Sequence, residues 1–126
     1  MDFNGTWKIY SDENLDEFLK AIAAPEMVVK MMKDVKPLTE IEQNGQDFTV
    51  KVKTLLCTHV NSFSIGREAE ITAMDGRKIK CTIKGENGKL FVETEKFTSV
   101  REIQGDEMIE TITAGSVTLI RRSKRV

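Results

Sequence analysis

From Asn14 to Val35 the apolar positions recur at helical spacing, and beyond Pro37 they alternate instead. Leu15, Phe18, Leu19 and Ile22 form one stripe; Val28, Met31, Met32 and Val35 form a second. That i, i+3, i+4 recurrence is the signature of an amphipathic helix. Asn14 with Glu17 three residues later has the form of a capped helix start. Pro25 suits the first turn of a second segment, which Lys33–Lys36 and Pro37 close. The pattern predicts two short helices with a tight turn at Ala23-Ala24.

The alternation after Pro37 is that of half-buried strands. Phe48, Val50 and Val52 oppose Thr49, Lys51 and Lys53. Ala69, Ile71 and Ala73 oppose Glu68 and Glu70, and Ile79, Cys81 and Ile83 oppose Lys78, Lys80 and Lys84. Turn signals fall at Asn44-Gly45, Gly66, Asp75-Gly76, Asn87-Gly88, Gly105-Asp106 and Gly115-Ser116. Asn-Gly and Asp-Gly favour the tight hairpins that join neighbouring antiparallel strands. The interval from Gly45 to Gly66 is double the usual spacing and must hold an extra turn around Leu55–Cys57. No proline follows Pro37, as paired ladders require. One strand before the helices and about nine after them predict an all-β fold. It is a ten-stranded antiparallel up-and-down barrel with a two-helix lid between the first two strands, spanning residues 1–126 as one domain.

Such a barrel should be hollow. About eight strands can be filled by side chains, and diameter grows with strand number. The inward sets are modest in size, so a cavity is expected. Phe48, Val50, Val52, Asn61 and Phe63 should border it from one side, with Ile71, Ala73, Ile83 and Val92 from the other. The same parity brings polar groups indoors. Phe97 and Ile103 share a face with Ser99 and Arg101; Met108 and Ile112 share theirs with Glu110; Leu119 shares its own with Arg121 and Ser123. A lone buried charge costs several kcal/mol, so these groups must pair, stay hydrated or meet a guest. Two guanidiniums against one carboxylate leave a positive surplus, which a carboxylate head group would complete. The alternative is that Arg121 merely opens an exposed basic tail running to Arg125.

Bulk chemistry narrows the classes. Nineteen basic and 20 acidic residues leave a formal net charge of -1, so no global field recruits nucleic acid. The N-terminal residues lack the pattern of a signal peptide, and no apolar run approaches the length of a membrane span. Cys57 and Cys81 lack metal or redox spacing and are expected as reduced thiols in the cytoplasm. His59 is the single histidine, and no motif supplies it with partners for catalysis or zinc. It shares parity with Asn61 and is expected either as a satisfied interior group or at the cavity. Glu68 and Glu70 belong to the solvent face. No cofactor and no catalysis are expected.

The residues also resemble a known family. Gly5-x-Trp7-x-Ile9, followed by Asn14, Asp16, Phe18-Leu19 and Ile22, resembles the N-terminal signature of the intracellular lipid-binding (fatty-acid-binding) proteins. Glu40–Gly45, Asn61–Gly66, Met74–Lys78, Gly88–Leu90 and Glu110–Thr113 follow the same pattern. The ending Leu119–Val126 is similar to the liver-type members, especially the liver bile-acid-binding (liver basic) subgroup. The resemblance spans essentially the whole chain. It implies a β-clam with a helix-turn-helix lid that carries fatty acids, bile acids or similar amphipathic anions, as a monomer. Arg121 matches the family's inward arginine near the C-terminus, and Ser123 stands where the liver type keeps serine. Arg101 matches an inward arginine of heart- and intestinal-type relatives, which favours one clamped carboxylate. Leu15 replaces the aromatic residue expected after Asn14, and Ser99 replaces the histidine common in the bile-acid-binding subgroup; both changes weaken a carry-over of bile-acid preference. Met27, Met31, Leu55, Leu56 and Asp75 are expected to rim a portal. There Lys30, Lys33 and Lys36 either touch membrane surfaces transiently or form the wet side of a packed lid. The alternatives are a secreted lipocalin-like carrier, which Gly-x-Trp also fits, and a small barrel enzyme or interaction module.

Overall fold

The protein's structure, a computed structural model, describes residues 3–26, 29–30, 37–53, 58–72 and 78–126. Its strands are β1 (Gly5–Glu13), β2 (Leu38–Asn44), β3 (Asp47–Lys53), β4 (Thr58–Ser64) and β5 (Glu68–Thr72). They continue as β6 (Lys78–Glu86), β7 (Lys89–Glu93), β8 (Thr98–Gln104), β9 (Glu107–Ala114) and β10 (Val117–Arg125). Helix α1 (Leu15–Ala21) follows β1. The spatial order β4-β3-β2-β1-β10-β9-β8-β7-β6-β5 wraps a meander into a nearly closed barrel, joined where β1 meets β10. Among the described residues no helix is long and apolar enough to cross a membrane.

The turns explain the meander. Asn44 pairs with Asp47, Glu86 with Lys89, Gln104 with Glu107 and Ala114 with Val117, each pair closing a two-residue loop. Asn87 and Gly88 have φ of 52° and 77°. Positive φ at both central residues gives the turn whose twist matches the flanking strands. β3 and β4 pair antiparallel as far as Lys53 and Thr58; the extra turn expected around Leu55–Cys57 lies outside the described residues.

The described residues hold one complete helix where the sequence predicts two. Glu26, Val29 and Lys30 are helical, and the Val29 N–H donates to the Pro25 carbonyl at 3.0 Å. Val28, Met31, Met32 and Val35 lie outside the described residues. The stripe on α1 buries Phe18 and Leu19 against Ile112, Ala114 and Leu119, with Leu15 and Ile22 at its margin. Asn14 does sit at the helix start, but its side chain makes no cap bond there. Its φ of 65° and ψ of 28° are left-handed, and its Nδ2 donates to the Thr118 carbonyl at 3.0 Å, tying the helix to β10.

A second apolar cluster fills the other end of the barrel, built on Phe3, Trp7, Ile41, Phe48, Leu90 and Met108. The Trp7 Nε1–H donates to the Phe3 carbonyl at 3.0 Å, so the buried indole leaves no orphan donor. Phe48 stacks on Phe63 at 5.2 Å between ring centroids and meets Phe3 edge-on at 6.0 Å. Along β9, Met108 belongs to this cluster and Ile112 to the helical one. The middle of the barrel lies between them.

One irregularity matters for that middle. Ile9 faces Ser123, yet Ser11 faces Arg122 and Asp12 faces Arg121, so Tyr10 is an extra residue in β1. A bulge of this kind reverses which side chains point inward. Ile9 is buried and inward before it; Asp12 turns inward after it.

Candidate functional site

The barrel encloses a cavity of about 640 Å³. Of the positions expected at it, Val50, Val52, Asn61 and Phe63 border it from β3 and β4. Ile71, Ile83, Val92, Phe97 and Ser99 border it from β5 through β8. Arg101, Glu110, Ile112 and Arg121 complete the predicted wall. Four other inward positions do not reach it. Phe48 and Met108 pack in the closed-end cluster and Leu119 against α1; Ser123, buried, pairs with Met108 of the closed-end cluster. Alternation assigns a face but not a height, and these four lie above or below the void. Ala73 and the portal residues Met27, Met31, Leu55, Leu56 and Asp75 lie outside the described residues, as does Cys57. His59 is half-buried opposite Val52, and Glu68 and Glu70 are exposed.

The wall includes residues that strand parity did not single out. Phe18, Ala21 and Ile22 close one end from the helix, Thr39 and Ile9 come from β2 and β1, and Lys96 stands exposed at the rim. The helical stripe already carried the signal for Phe18 and Ile22, since a lid buries the face it turns to the barrel.

Four charges cross the middle of the barrel in register. Arg101 on β8 faces Glu110 on β9, Glu110 faces Arg121 on β10, and Arg121 faces Asp12 on β1. The Arg101 Nη2–H donates to Glu110 Oε2 at 2.6 Å, and the Arg121 Nε–H donates to Asp12 Oδ1 at 2.7 Å. Arg121 is 6% exposed, which overturns the reading of an exposed tail starting there. The tail begins after Ser123, with Lys124 and Arg125 exposed. The expected positive surplus is also corrected. Asp12, which simple alternation from Ile9 would turn outward, balances Arg121, so the row reads plus, minus, plus, minus.

The pairing is not complete. Arg121 Nη2 is buried and has no hydrogen-bond partner among the described residues. An orphaned donor on a buried guanidinium is costly, and it sits on a side chain that borders the cavity. Burial pushes the Glu110 carboxyl up, but the Arg101 charge, the Arg101 hydrogen bond and the Arg121 charge outweigh it. The net direction is down, so Glu110 is ionised at neutral pH. Cys81 is buried on β6, and burial pushes its thiol up, which makes it an inert small hydrophobe.

A largely apolar void with a charged band across its wall is a chamber for an amphipathic guest. Comparison with known proteins gives the same architecture. The model of the lipocalin / cytosolic fatty-acid binding protein family matches residues 1–126. The liver fatty acid-binding protein of Schroederichthys bivius is 52% identical over 126 residues, covering 100% of both chains. The REP1-NXSQ fatty acid transporter superposes with a TM-score of 0.92 at 31% identity, over 99% of this chain and 96% of that one. The zebrafish ileal bile acid-binding protein, solved with cholic acid, superposes with a TM-score of 0.86 at 36% identity, over 98% of each chain.

Proposed function

This chain belongs to the lipocalin / cytosolic fatty-acid binding protein family, and on that premise we propose that it is a cytoplasmic carrier of one long-chain fatty acid or bile acid. The guest lies in the central cavity with its carboxylate toward Arg121 and Arg101, and the protein performs no chemistry on it. The single observation that carries this reading is Arg121 Nη2, a buried cationic donor without a partner beside a void of about 640 Å³. That volume falls within the roughly 300–1,000 Å³ typical of small-molecule sites. Burying the guest's apolar body supplies most of the affinity, at about 25 cal/mol per Å². The arginine band supplies orientation, because a guanidinium N–H donates a charge-assisted hydrogen bond to a carboxylate. The names of the fatty-acid and bile-acid relatives support both guest classes.

The carrier acts as a monomer and exchanges its guest at an opening beside α1, with transient contact to membrane surfaces. The test is binding calorimetry with oleate, cholate and oleyl alcohol. Arg121→Ala is expected to weaken oleate and cholate by about 1–3 kcal/mol and to weaken oleyl alcohol, whose hydroxyl makes the weaker bond, by clearly less. Equal losses for acid and alcohol would remove the arginine from the head-group role.

A further inference from the structure

We infer that Asp12 sets how strongly the cavity prefers an anionic guest to an uncharged one, by restraining the charge that Arg121 presents. The inference rests on the reading above, that a head group is held near Arg121. Three observations carry it.

The first is geometric. Asp12 reaches the barrel interior only because Tyr10 is an extra residue in β1, which brings Asp12 opposite Arg121. The carboxylate then accepts from Arg121 Nε at 2.7 Å. Nε–H and Nη2–H form the edge of a guanidinium that grips a carboxylate with two parallel bonds. With Nε engaged by Asp12, a guest carboxylate finds only Nη2 on that edge, and Nη2 is the atom left without a partner.

The second is the charge count. Arg121 stands between two carboxylates, Asp12 on β1 and Glu110 on β9, and Arg101 closes the far side of Glu110. The four formal charges cancel. A guest anion therefore meets a band with no net attraction and one bond to gain, whereas an uncharged hydroxyl meets the same bond without repulsion from Asp12.

The third is position. Asp12 does not border the cavity, while Arg121, Glu110 and Arg101 do. Asp12 therefore acts on a guest through Arg121 and is a positioning residue. Changing it alters the field at the head group without altering the shape of the chamber.

The experiment measures Kd for oleate and for oleyl alcohol on the full chain and takes the ratio of the two in each variant. A variant that merely loosens the barrel lowers both affinities and leaves the ratio in place. Asp12→Asn keeps the side-chain shape and the accepting oxygen while removing one negative charge. It is expected to shift the ratio toward oleate by about tenfold, the order of effect of one unit charge removed beside a binding group. Asp12→Ser should shift it in the same direction, and Asp12→Glu, which keeps the charge, should hold the ratio within about threefold of wild type. A ratio unmoved in both neutral variants, or moved toward the alcohol, overturns the inference while leaving the carrier intact. Failure of wild type to bind either lipid overturns the carrier reading and this inference with it.

Discussion

Glu110 is held ionised by its neighbours rather than by water, and that makes it a reporter for the band. Its side chain is 19% exposed and its partner Arg101 is 20% exposed, so the pair is shielded without being dry. The folded carboxyl lies below the ordinary value of 4.5, driven there by Arg101 and Arg121 against the upward push of burial. A depressed folded value means that the folded protein holds its proton less tightly than the unfolded chain does. The resulting stabilisation is fully present above the ordinary carboxylate range and is lost as pH falls through the folded value. Glu110→Gln is therefore expected to destabilise by about 1–3 kcal/mol at pH 7, since Arg101 loses its ionic partner. The gap between wild type and variant should narrow as pH falls past the ordinary carboxylate range and through the lower folded value, where wild type also loses the charge. Urea denaturation at pH 7 and at a descending series of acid pH values measures this. A gap that stays constant would mean the pair contributes shape and not charge. Arg101, Glu110 and Arg121 were legible in the sequence because each sits at an inward parity between apolar residues. Asp12 was not, because one inserted residue reverses the parity of β1 and no local signal in Tyr10-Ser11 announces it.

At the scale of elements, the weak place is the seam between β4 and β5, the two ends of the sheet order. Edge strands expose unpaired backbone groups and invite slippage or foreign pairing. Here a side chain bridges part of the gap. The Asn61 Nδ2–H donates to the Thr72 carbonyl at 3.3 Å, and the Thr72 N–H donates to Asn61 Oδ1 at 2.8 Å. The carboxamide thus exchanges two bonds with a peptide, as a partner strand would. Asn61→Leu keeps a similar volume but removes both bonds, leaving Thr72 with an unsatisfied amide in a half-buried place. We expect a stability loss of about 1–3 kcal/mol and faster hydrogen exchange at the Thr72 amide. Unchanged protection at Thr72 would show that the seam is held by something else. Alternation had placed Asn61 on the cavity wall, where it is, but the bridge to Thr72 joins edges that a linear pattern cannot pair. The same limit governs Phe48, Met108, Leu119 and Ser123. Period two tells which side of a strand faces in, and only the assembled barrel tells at what height the interior is solid. The hairpins, by contrast, were legible almost to the residue, because Asn87-Gly88 and Gly105-Asp106 carry their own backbone preference.

The whole molecule is a barrel plugged at one end by Trp7, Phe3 and Phe48, covered at the other by Phe18 and Leu19, and open between. The void forgoes the dispersion contacts that a solid core would make at mid-height. It also holds charges there that a solid core would have to desolvate completely. The missing contacts leave the unliganded fold less stable than its size permits, and a guest that fills the void and completes Arg121 recovers part of the difference. Such a guest binds the native state and not the unfolded chain, so its effect on stability follows from mass action. At a free concentration one hundred times Kd it adds about 2.7 kcal/mol. With an unfolding entropy near 2.1 cal/mol/K per residue, the 126-residue chain should then melt about 10 °C higher. The midpoint should go on rising with the logarithm of ligand concentration after the site is saturated, because the unfolded state remains empty at every step. Scanning calorimetry across a thousandfold range of cholate or oleate, kept below micelle formation, reads this directly. A midpoint that stops climbing once one equivalent is bound would mean that the lipid also binds the unfolded chain, and the stability of the hollow barrel would then have to come from its ladders and its two apolar clusters alone.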